Sequence, residues 1–246
     1  MKKKLVFLTG SGISAESGIS TFRDANGLWE NYNVQDVCTN RAIAEDPDYV
    51  NEFYNMLRTK YCDAKPNKAH TLIGSLENSD EYQINVITQN VDNLHEQAGS
   101  KNVLHLHGDI MKCCSSKSVE NKDCWVSLPQ PGFGESGLEI PKGEKAKDGS
   151  PLRPYIVFFG ENVPNMVPAS EIVRGADILI IIGTSMQVYP AASLIDYFGG
   201  EKVFVIDPSD VQIEDRFTTH IKEKATVGME KLIKNYLIND TNEHKN

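Results

Sequence analysis

The stretch Lys2-Lys3-Lys4-Leu5-Val6-Phe7-Leu8-Thr9-Gly10-Ser11-Gly12-Ile13-Ser14-Ala15 decides the architecture of the chain. The apolar run from Leu5 to Leu8 is unbroken and too short for a helix, which is how a strand covered on both faces reads. It runs into Gly10-Ser11-Gly12-Ile13-Ser14-Ala15, a fit to Gly-x-Gly-x-x-(Gly/Ala). Glycines there permit a tight turn and close backbone approach, and a helix starting at this point would aim unpaired N–H groups and its positive end at a pyrophosphate. Standing alone, the pattern serves nucleotide binding and a plain strand-to-helix turn equally well. The acidic residue expected about 20 residues on, at the end of a second strand, is missing, because Asp24 and Glu30 lie in polar sequence. That disfavours an ordinary dinucleotide dehydrogenase. The lysines resemble the flank of a signal peptide, but the apolar run is short and no small-residue cleavage site follows.

Working outward, similar apolar runs recur at 84–87, 103–106, 155–159, 178–182 and 203–206, with helical or loop material between them. Continuous rather than alternating hydrophobicity predicts parallel strands buried under helices on both faces. The fold class is therefore α/β, a Rossmann-like parallel sheet. Two regions interrupt it, at about 25–70 and 111–154, and together they predict a small insertion module over the carboxyl ends of the strands, where open α/β sheets bind ligands. Residues 227–237 read as a closing amphipathic helix. The expectation is a single catalytic domain over 1–238, with a flexible polar tail at 239–246.

Composition narrows the partners. Among 246 residues there are 25 Lys+Arg against 34 Asp+Glu, a formal charge of −9. A protein that grips phosphate backbones needs clustered positive charge, so no nucleic-acid partner is expected, and an acidic surface favours basic ones. No run approaches the roughly 20 apolar residues of a membrane span, so no membrane association is expected. The cysteines (Cys38, Cys62, Cys113, Cys114, Cys124) are odd in number and lack a disulfide-framework spacing, which points to a reducing cytoplasm. The oligomeric state is open, with a monomer favoured.

Four polar constellations stand at strand ends. Glu16-Ser17-Gly18-Ile19-Ser20-Thr21-Phe22-Arg23-Asp24, with Gly27-Leu28-Trp29, follows the glycine loop. Thr88-Gln89-Asn90-Val91-Asp92-Asn93-Leu94-His95, His105-Leu106-His107-Gly108-Asp109, and Gly183-Thr184-Ser185-Met186-Gln187-Val188-Tyr189-Pro190-Ala191 follow later strands. Polar loops converging on one edge of a sheet imply one site.

Taken in order, TGSGISAESGISTFRD with GLW, TQNVDNLHEQAG, LHLHGD, PLRPYIVFFGE and GTSMQVYPAASL make the chain resemble the sirtuins, NAD-dependent protein-lysine deacylases, over nearly its whole length. The resemblance implies that NAD is the cofactor and that acyl-lysine proteins or peptides are the substrates. It places Gly10, Ser11, Gly12, Ile13, Ser14, Phe22, Arg23 and Trp29 in the cofactor loop, and Gln89, Asn90 and Asp92 around the ribose and nicotinamide. Gly183, Thr184 and Ser185 would take the phosphate and adenine side, with Asp207 and Ala225 at the adenine end. His107, with Asn90, would be catalytic. The acyl oxygen would attack C1′ of the ribose and expel nicotinamide, with His107 as general base on the ribose hydroxyls, giving free lysine and 2′-O-acyl-ADP-ribose. Val157, Phe158, Phe159 and Gly160 would wall the acyl-lysine tunnel and pair with substrate backbone. His95, ahead of a terminating Gly99, reads as a structural hydrogen-bonder, and His105 shares a strand face with His107.

The chain departs from the family in three places. It has no Cys-x-x-Cys pair for a structural zinc; Cys113 and Cys114 are adjacent, Cys124 is single, and Lys147-Asp148-Gly149-Ser150 stands where a second pair would be, so no metal is expected. Ser20 replaces a usual proline, which loosens the cofactor loop. The Tyr-x-x-Arg pair of sirtuins that prefer acidic acyl groups reads Tyr54-Asn55-Met56-Leu57, with Arg58 one position on and rotated by about 100°. Tyr54 and Arg58 remain candidate substrate residues, and acetyl or longer apolar acyl groups are expected over succinyl or malonyl. Rival expectations are protein ADP-ribosyl transfer and NAD hydrolysis, since C1′ activation serves any nucleophile, then removal of succinyl or malonyl groups, and a non-enzymatic NAD sensor, which would gain nothing from His107.

Overall fold

The computed structural model describes residues 1–21, 32–211, 213 and 218–237. Phe22, Arg23 and Trp29, and the tail at 239–246, lie outside the described residues.

Six strands form the main sheet: β1 (Lys3–Thr9), β2 (Tyr82–Thr88), β3 (Val103–His105), β7 (Ile178–Ile182), β8 (Lys202–Ile206) and β9 (Thr218–Ile221), in the order β3-β2-β1-β7-β8-β9. Every neighbouring pair is parallel. This is the doubly wound arrangement, and its order reverses between β1 and β7, so a crevice opens where those strands end. Alternation along each strand feeds two cores. Leu5, Phe7, Ile178, Ile180 and Ile182 pack with Ala69 and Ile73 of α4 (Lys68–Leu76) and Met229 and Leu232 of α7 (Ala225–Leu232). Val6, Leu8, Leu179 and Ile181 face Ala169 and Val173 of α6 (Met166–Arg174) and Leu194 of the 3-10 segment Ala191–Tyr197. Both faces are covered, which is why these strands read as solid apolar runs.

A second sheet, β5 (Val126–Ser127), β4 (Gly108–Ser115) and β6 (Leu152–Ile156), is antiparallel. It forms the small module with α1 (Val34–Val37), α2 (Asn40–Glu45) and α3 (Pro47–Cys62), which share an apolar cluster with Ile110, Ile156 and Phe158. The run at 155–159, expected to be a strand of the parallel sheet, instead ends this small one. Its continuous hydrophobicity has a different cause: Ile156 and Phe158 pack on α3, while Leu152 joins a separate cluster with Cys113 and Leu138. The parallel edge strand β9, Thr218-Thr219-His220-Ile221, was illegible because an edge strand with mostly half-exposed residues needs no apolar run.

Two local expectations are also corrected. The glycine loop leads into two short 3-10 turns, Ser11–Ile13 and Ala15–Ser17, rather than an α-helix, so no long macrodipole points at the crevice. The closing helix starts at Ala225 and ends in a π turn at Ile233–Leu237.

One stripe of α3 fastens the module. Asn51 Nδ2 donates to the Leu152 carbonyl at 3.0 Å, Asn55 exchanges bonds with the backbone of Ile140 at 2.9 and 3.0 Å, and Arg58 donates to the carbonyls of Ile110 (2.7 Å) and Leu138 (2.5 Å). Spacings of four and three residues put all three side chains on one helix face.

Cys113 and Cys114, as neighbours on β4, belong to opposite faces. Burial pushes both thiols up to about 12, so they are protonated at neutral pH. Ser115 and the segment carrying Asp148 are instead tied by hydrogen bonds. Ser115 Oγ donates to Asp148 Oδ2 at 2.6 Å, lies 2.9 Å from Ser150 Oγ and accepts from the N–H groups of Lys117 and Ser118. Among the described residues, no group of three or more His, Cys, Asp or Glu is placed to hold a metal.

Candidate active site

The crevice between β1 and β7 is closed at its base by backbone. Gly12 donates its N–H to the Gly183 carbonyl at 2.9 Å, and Gly10 donates to Ile182 at 3.0 Å. A Cβ on Gly12 would sit 2.6 Å from the Gly183 Cα, and one on Gly10 would sit 2.8 Å from the Gly183 oxygen. Gly183 itself has φ +60, the left-handed region that disfavours other side chains. The glycines that suggested room for a ligand are thus required first for pressing two loops together. Asn67, which the sequence reading missed, caps α4 through Ala69 N–H and also donates to the Ile13 carbonyl at 2.7 Å and to Ser17 Oγ at 3.0 Å. Its position after Pro66 signals a helix cap, but nothing in the sequence signals its hold on the loop.

Above that base lies a connected polar network. Buried Ser14 donates to Asp92 Oδ2 at 3.0 Å and accepts from Asn90 Nδ2 at 3.1 Å. Asp92 Oδ1 accepts the Leu94 N–H at 3.1 Å, which fixes the start of α5 (Leu94–Gln97). Burial raises the Asp92 pKa, and the bonds from Leu94 and Ser14 work against that. Gln89 Nε2 donates to Thr184 Oγ1 at 3.0 Å, joining the β2 and β7 loops. Asn90 also donates its backbone N–H to Thr88 Oγ1 at 3.0 Å, which fixes the residue just beyond β2. An amide, a carboxylate and hydroxyls on a glycine-rich floor suit the ribose hydroxyls and carboxamide of a dinucleotide, so the residues present fit NAD. At the far end, Asp207 follows β8 and accepts the Ser209 N–H, and Ala225 starts α7 beside Thr226, whose N–H and hydroxyl are held by Glu16 at 3.0 Å.

The two histidines at the end of β3 are in different states. His107 Nδ1 lies 3.0 Å from the Gln89 carbonyl oxygen. A carbonyl only accepts, so Nδ1 carries the proton and Nε2 presents a lone pair. Burial lowers the His107 pKa, partly offset by that bond, which keeps the imidazole neutral at physiological pH and able to accept a proton. His105 Nδ1 meets the Asn90 carbonyl at 3.0 Å, and its Nε2 meets Glu96 Oε1 at 2.8 Å. Burial opposes its charge, but the bond and charge of Glu96 outweigh burial and raise its pKa. With both nitrogens engaged, it serves as a support. His95 is buried on α5, and its Nε2 lies 3.0 Å from Thr9 Oγ1.

The third wall is the segment after β6. Val157 donates to the His107 carbonyl at 2.9 Å, and Phe159 donates to the Cys38 carbonyl at 2.8 Å. Phe158 is buried while Phe159 is half-exposed, so the pair divides between core and surface. Gly160 has φ +90, and a Cβ there would meet the Asn40 amide at 2.9 Å. Tyr54 packs edge-on against Phe158 and its hydroxyl is 3.3 Å from Cys38 Sγ, in an apolar cluster that Val91 adjoins. Arg58 is not brought to this wall: its guanidinium is fully buried in the module on backbone carbonyls and Asn55.

A Rossmann-type sheet whose strand-end loops gather Ser14, Asn90, Asp92 and His107 has the architecture of a nucleotide-binding enzyme. The family model described as the Sir2 family matches residues 10–190. An NAD-dependent protein deacylase of Bacteroides thetaiotaomicron is 47% identical over 232 residues, covering 94% of this chain and 96% of the relative. A second, from Helicobacter pylori, is 47% identical over 207 residues, covering 84% and 85%. Among solved structures, a Sir2 homologue with ADP-ribose matches with TM-score 0.82 and 36% identity over 98% of this chain and 94% of that one. A Sir2 homologue with NAD matches with TM-score 0.80 and 38% identity over 94% and 88%. The chain belongs to the Sir2 family.

Proposed function

We propose that this protein is an enzyme that removes acyl groups from protein lysines at the expense of NAD, releasing nicotinamide and leaving the acyl group on ADP-ribose. The observation that carries the reading is the Nδ1 bond of His107 to the Gln89 carbonyl, which puts the ring proton on Nδ1 and leaves Nε2 with its lone pair. Family membership and the deacylase relatives support it. Bound NAD supplies an electrophilic ribose carbon carrying nicotinamide as leaving group. His107 Nε2 takes the proton that the reaction must release, and the Gln89 carbonyl steadies the imidazolium that results. Asn90 orients the ligand through its side-chain amide. Asp92 holds Ser14 and the Leu94 N–H, and so keeps that amide in place. Val157, Phe159 and Gly160 flank the entry of the acyl-lysine peptide. The enzyme works as a cytoplasmic protein, with its module held by packing and hydrogen bonds rather than zinc.

Acyl choice follows from the wall near Tyr54. Leu57 is buried in the same apolar cluster, and Arg58 is committed to Ile110 and Leu138. A distal carboxylate there would lack a bidentate cation, at a cost of about 1.5–3 kcal/mol. Acetyl and longer apolar acyl groups are therefore preferred over succinyl or malonyl. Competition among acetyl, succinyl and long-chain acyl-lysine peptides, read by mass spectrometry, tests this. Preferential loss of succinyl would show that a cation reaches the carboxylate after all.

A further inference from the structure

We propose that the groove of about 430 Å³ between the module loop at 118–120 and the segment carrying Val157, Gly160 and Glu161 receives the substrate residues beside the acyl-lysine, and that Glu120 selects a basic side chain there. The inference rests on the deacylase reading, which places the substrate along Val157 to Gly160.

The loop forms a fixed wall. Trp125 Nε1 donates to the Val119 carbonyl at 2.8 Å, Ser118 N–H donates to the buried Ser115 Oγ at 3.1 Å, and the Trp125 ring lies 4.3 Å from that of Tyr155 on β6. A braced loop presents its side chains at small entropic cost. Two carboxylates line the groove, and they differ. Glu161 is neutralised, with bonds from Arg153 at 2.5 and 3.0 Å and from Phe158 N–H at 2.9 Å. Glu120 is exposed and has no ion-pair partner among the described residues. Lys122, two residues on, lies over the Trp125 ring at 5.8 Å. Glu120 therefore leaves the groove with one uncompensated negative charge, continuous with the proposed substrate strand, and the acidic balance of the chain adds to that field.

The test is steady-state kinetics on acetyl-lysine peptides that differ only in carrying Arg, Gln or Glu at positions flanking the lysine, with wild type, Glu120→Gln and Glu120→Lys. The expected result is a KM about threefold to fivefold lower for the Arg peptide than the Gln peptide in wild type, the size of an exposed ion pair. The preference disappears in Glu120→Gln, reverses in Glu120→Lys, fades at high salt and leaves kcat unchanged throughout. An unchanged Arg preference in Glu120→Gln, with all peptides still deacylated, would overturn the assignment of Glu120. Deacylation of no peptide, whatever its flank, would overturn both the reading and the inference built on it.

Discussion

The Gln89 carbonyl oxygen and His107 Nδ1 are 3.0 Å apart, and this contact sets the tautomer on which the proposed chemistry depends. Gln89 lies just beyond β2 and His107 just beyond β3, so adjacent parallel strands bring the two residues together, and Gln89 contributes a backbone oxygen rather than its side chain. Replacing His107 with Ala removes the base and leaves the strand pairing. Turnover should fall roughly 10²-fold or more, while NAD affinity, measured by calorimetry, stays within a few-fold. Full turnover in that variant would exclude His107 as the base.

The same histidine fixes the acid limb of the pH profile. Burial lowers its pKa below the ordinary 6.5, and the proposed role as base requires the neutral form. Activity should therefore be constant at neutral pH and fall as pH drops through an ionisation below about 6.5. His105, whose pKa is raised, would give the opposite displacement. A midpoint above 6.5 in kcat/KM would point to His105.

Buried His70 and His95 lie with ring centroids 4.9 Å apart, and neither His70 nitrogen has a hydrogen-bond partner among the described residues. Burial lowers the His70 pKa to about 4. The unfolded chain binds this proton more readily, so the stability tied to a neutral His70 is complete above about 6.5 and is lost as pH falls toward 4, about 3 kcal/mol in all. Urea midpoints across that range should show the loss, and His70→Leu should flatten the slope. An equal slope in the variant would place the titrating group elsewhere.

Much of this was legible in the sequence, for physical reasons. Strands covered on both faces must be solid apolar runs, so β1, β2, β7 and β8 were readable, and polar loops at their ends pointed to a common site. What failed was information held in three dimensions. The segment 155–159 reads the same whether its apolar side chains meet the main sheet's helices or α3. An edge strand such as Thr218–Ile221 has little to bury. Gly12 and Gly183 carry no sign that their partner is each other. Asn67 gives away its helix cap and conceals its second role on the Ile13 carbonyl.

That mutual packing makes the loop glycines fragile. Gly12→Ala would force a Cβ to within 2.6 Å of the Gly183 Cα, and relieving the clash must part the β1 and β7 loops. Overpacking of this kind costs about 1–3 kcal/mol, so NAD affinity should fall at least about tenfold with the fold retained by circular dichroism. Unaltered affinity would mean that the two loops can separate without disturbing the cofactor.

The module should owe its integrity to α3 and to the Ser115–Asp148 contact. Arg58→Met leaves the Ile110 and Leu138 carbonyls buried without their donor, a loss of about 3 kcal/mol, read as a lower melting temperature. Ser115→Ala should weaken the same unit. A strong chelator should leave the melting curve of the wild type unmoved, and a chelator-induced drop would show that metal holds the module.

The most direct test of the central claim is mass spectrometry of the purified protein incubated with NAD and an acetyl-lysine peptide. The account predicts deacetylated peptide, nicotinamide and acetyl-ADP-ribose in equal amounts, with all three lost in His107→Ala. NAD consumed with the acetyl group still on the peptide, or ADP-ribose attached to protein, would contradict it.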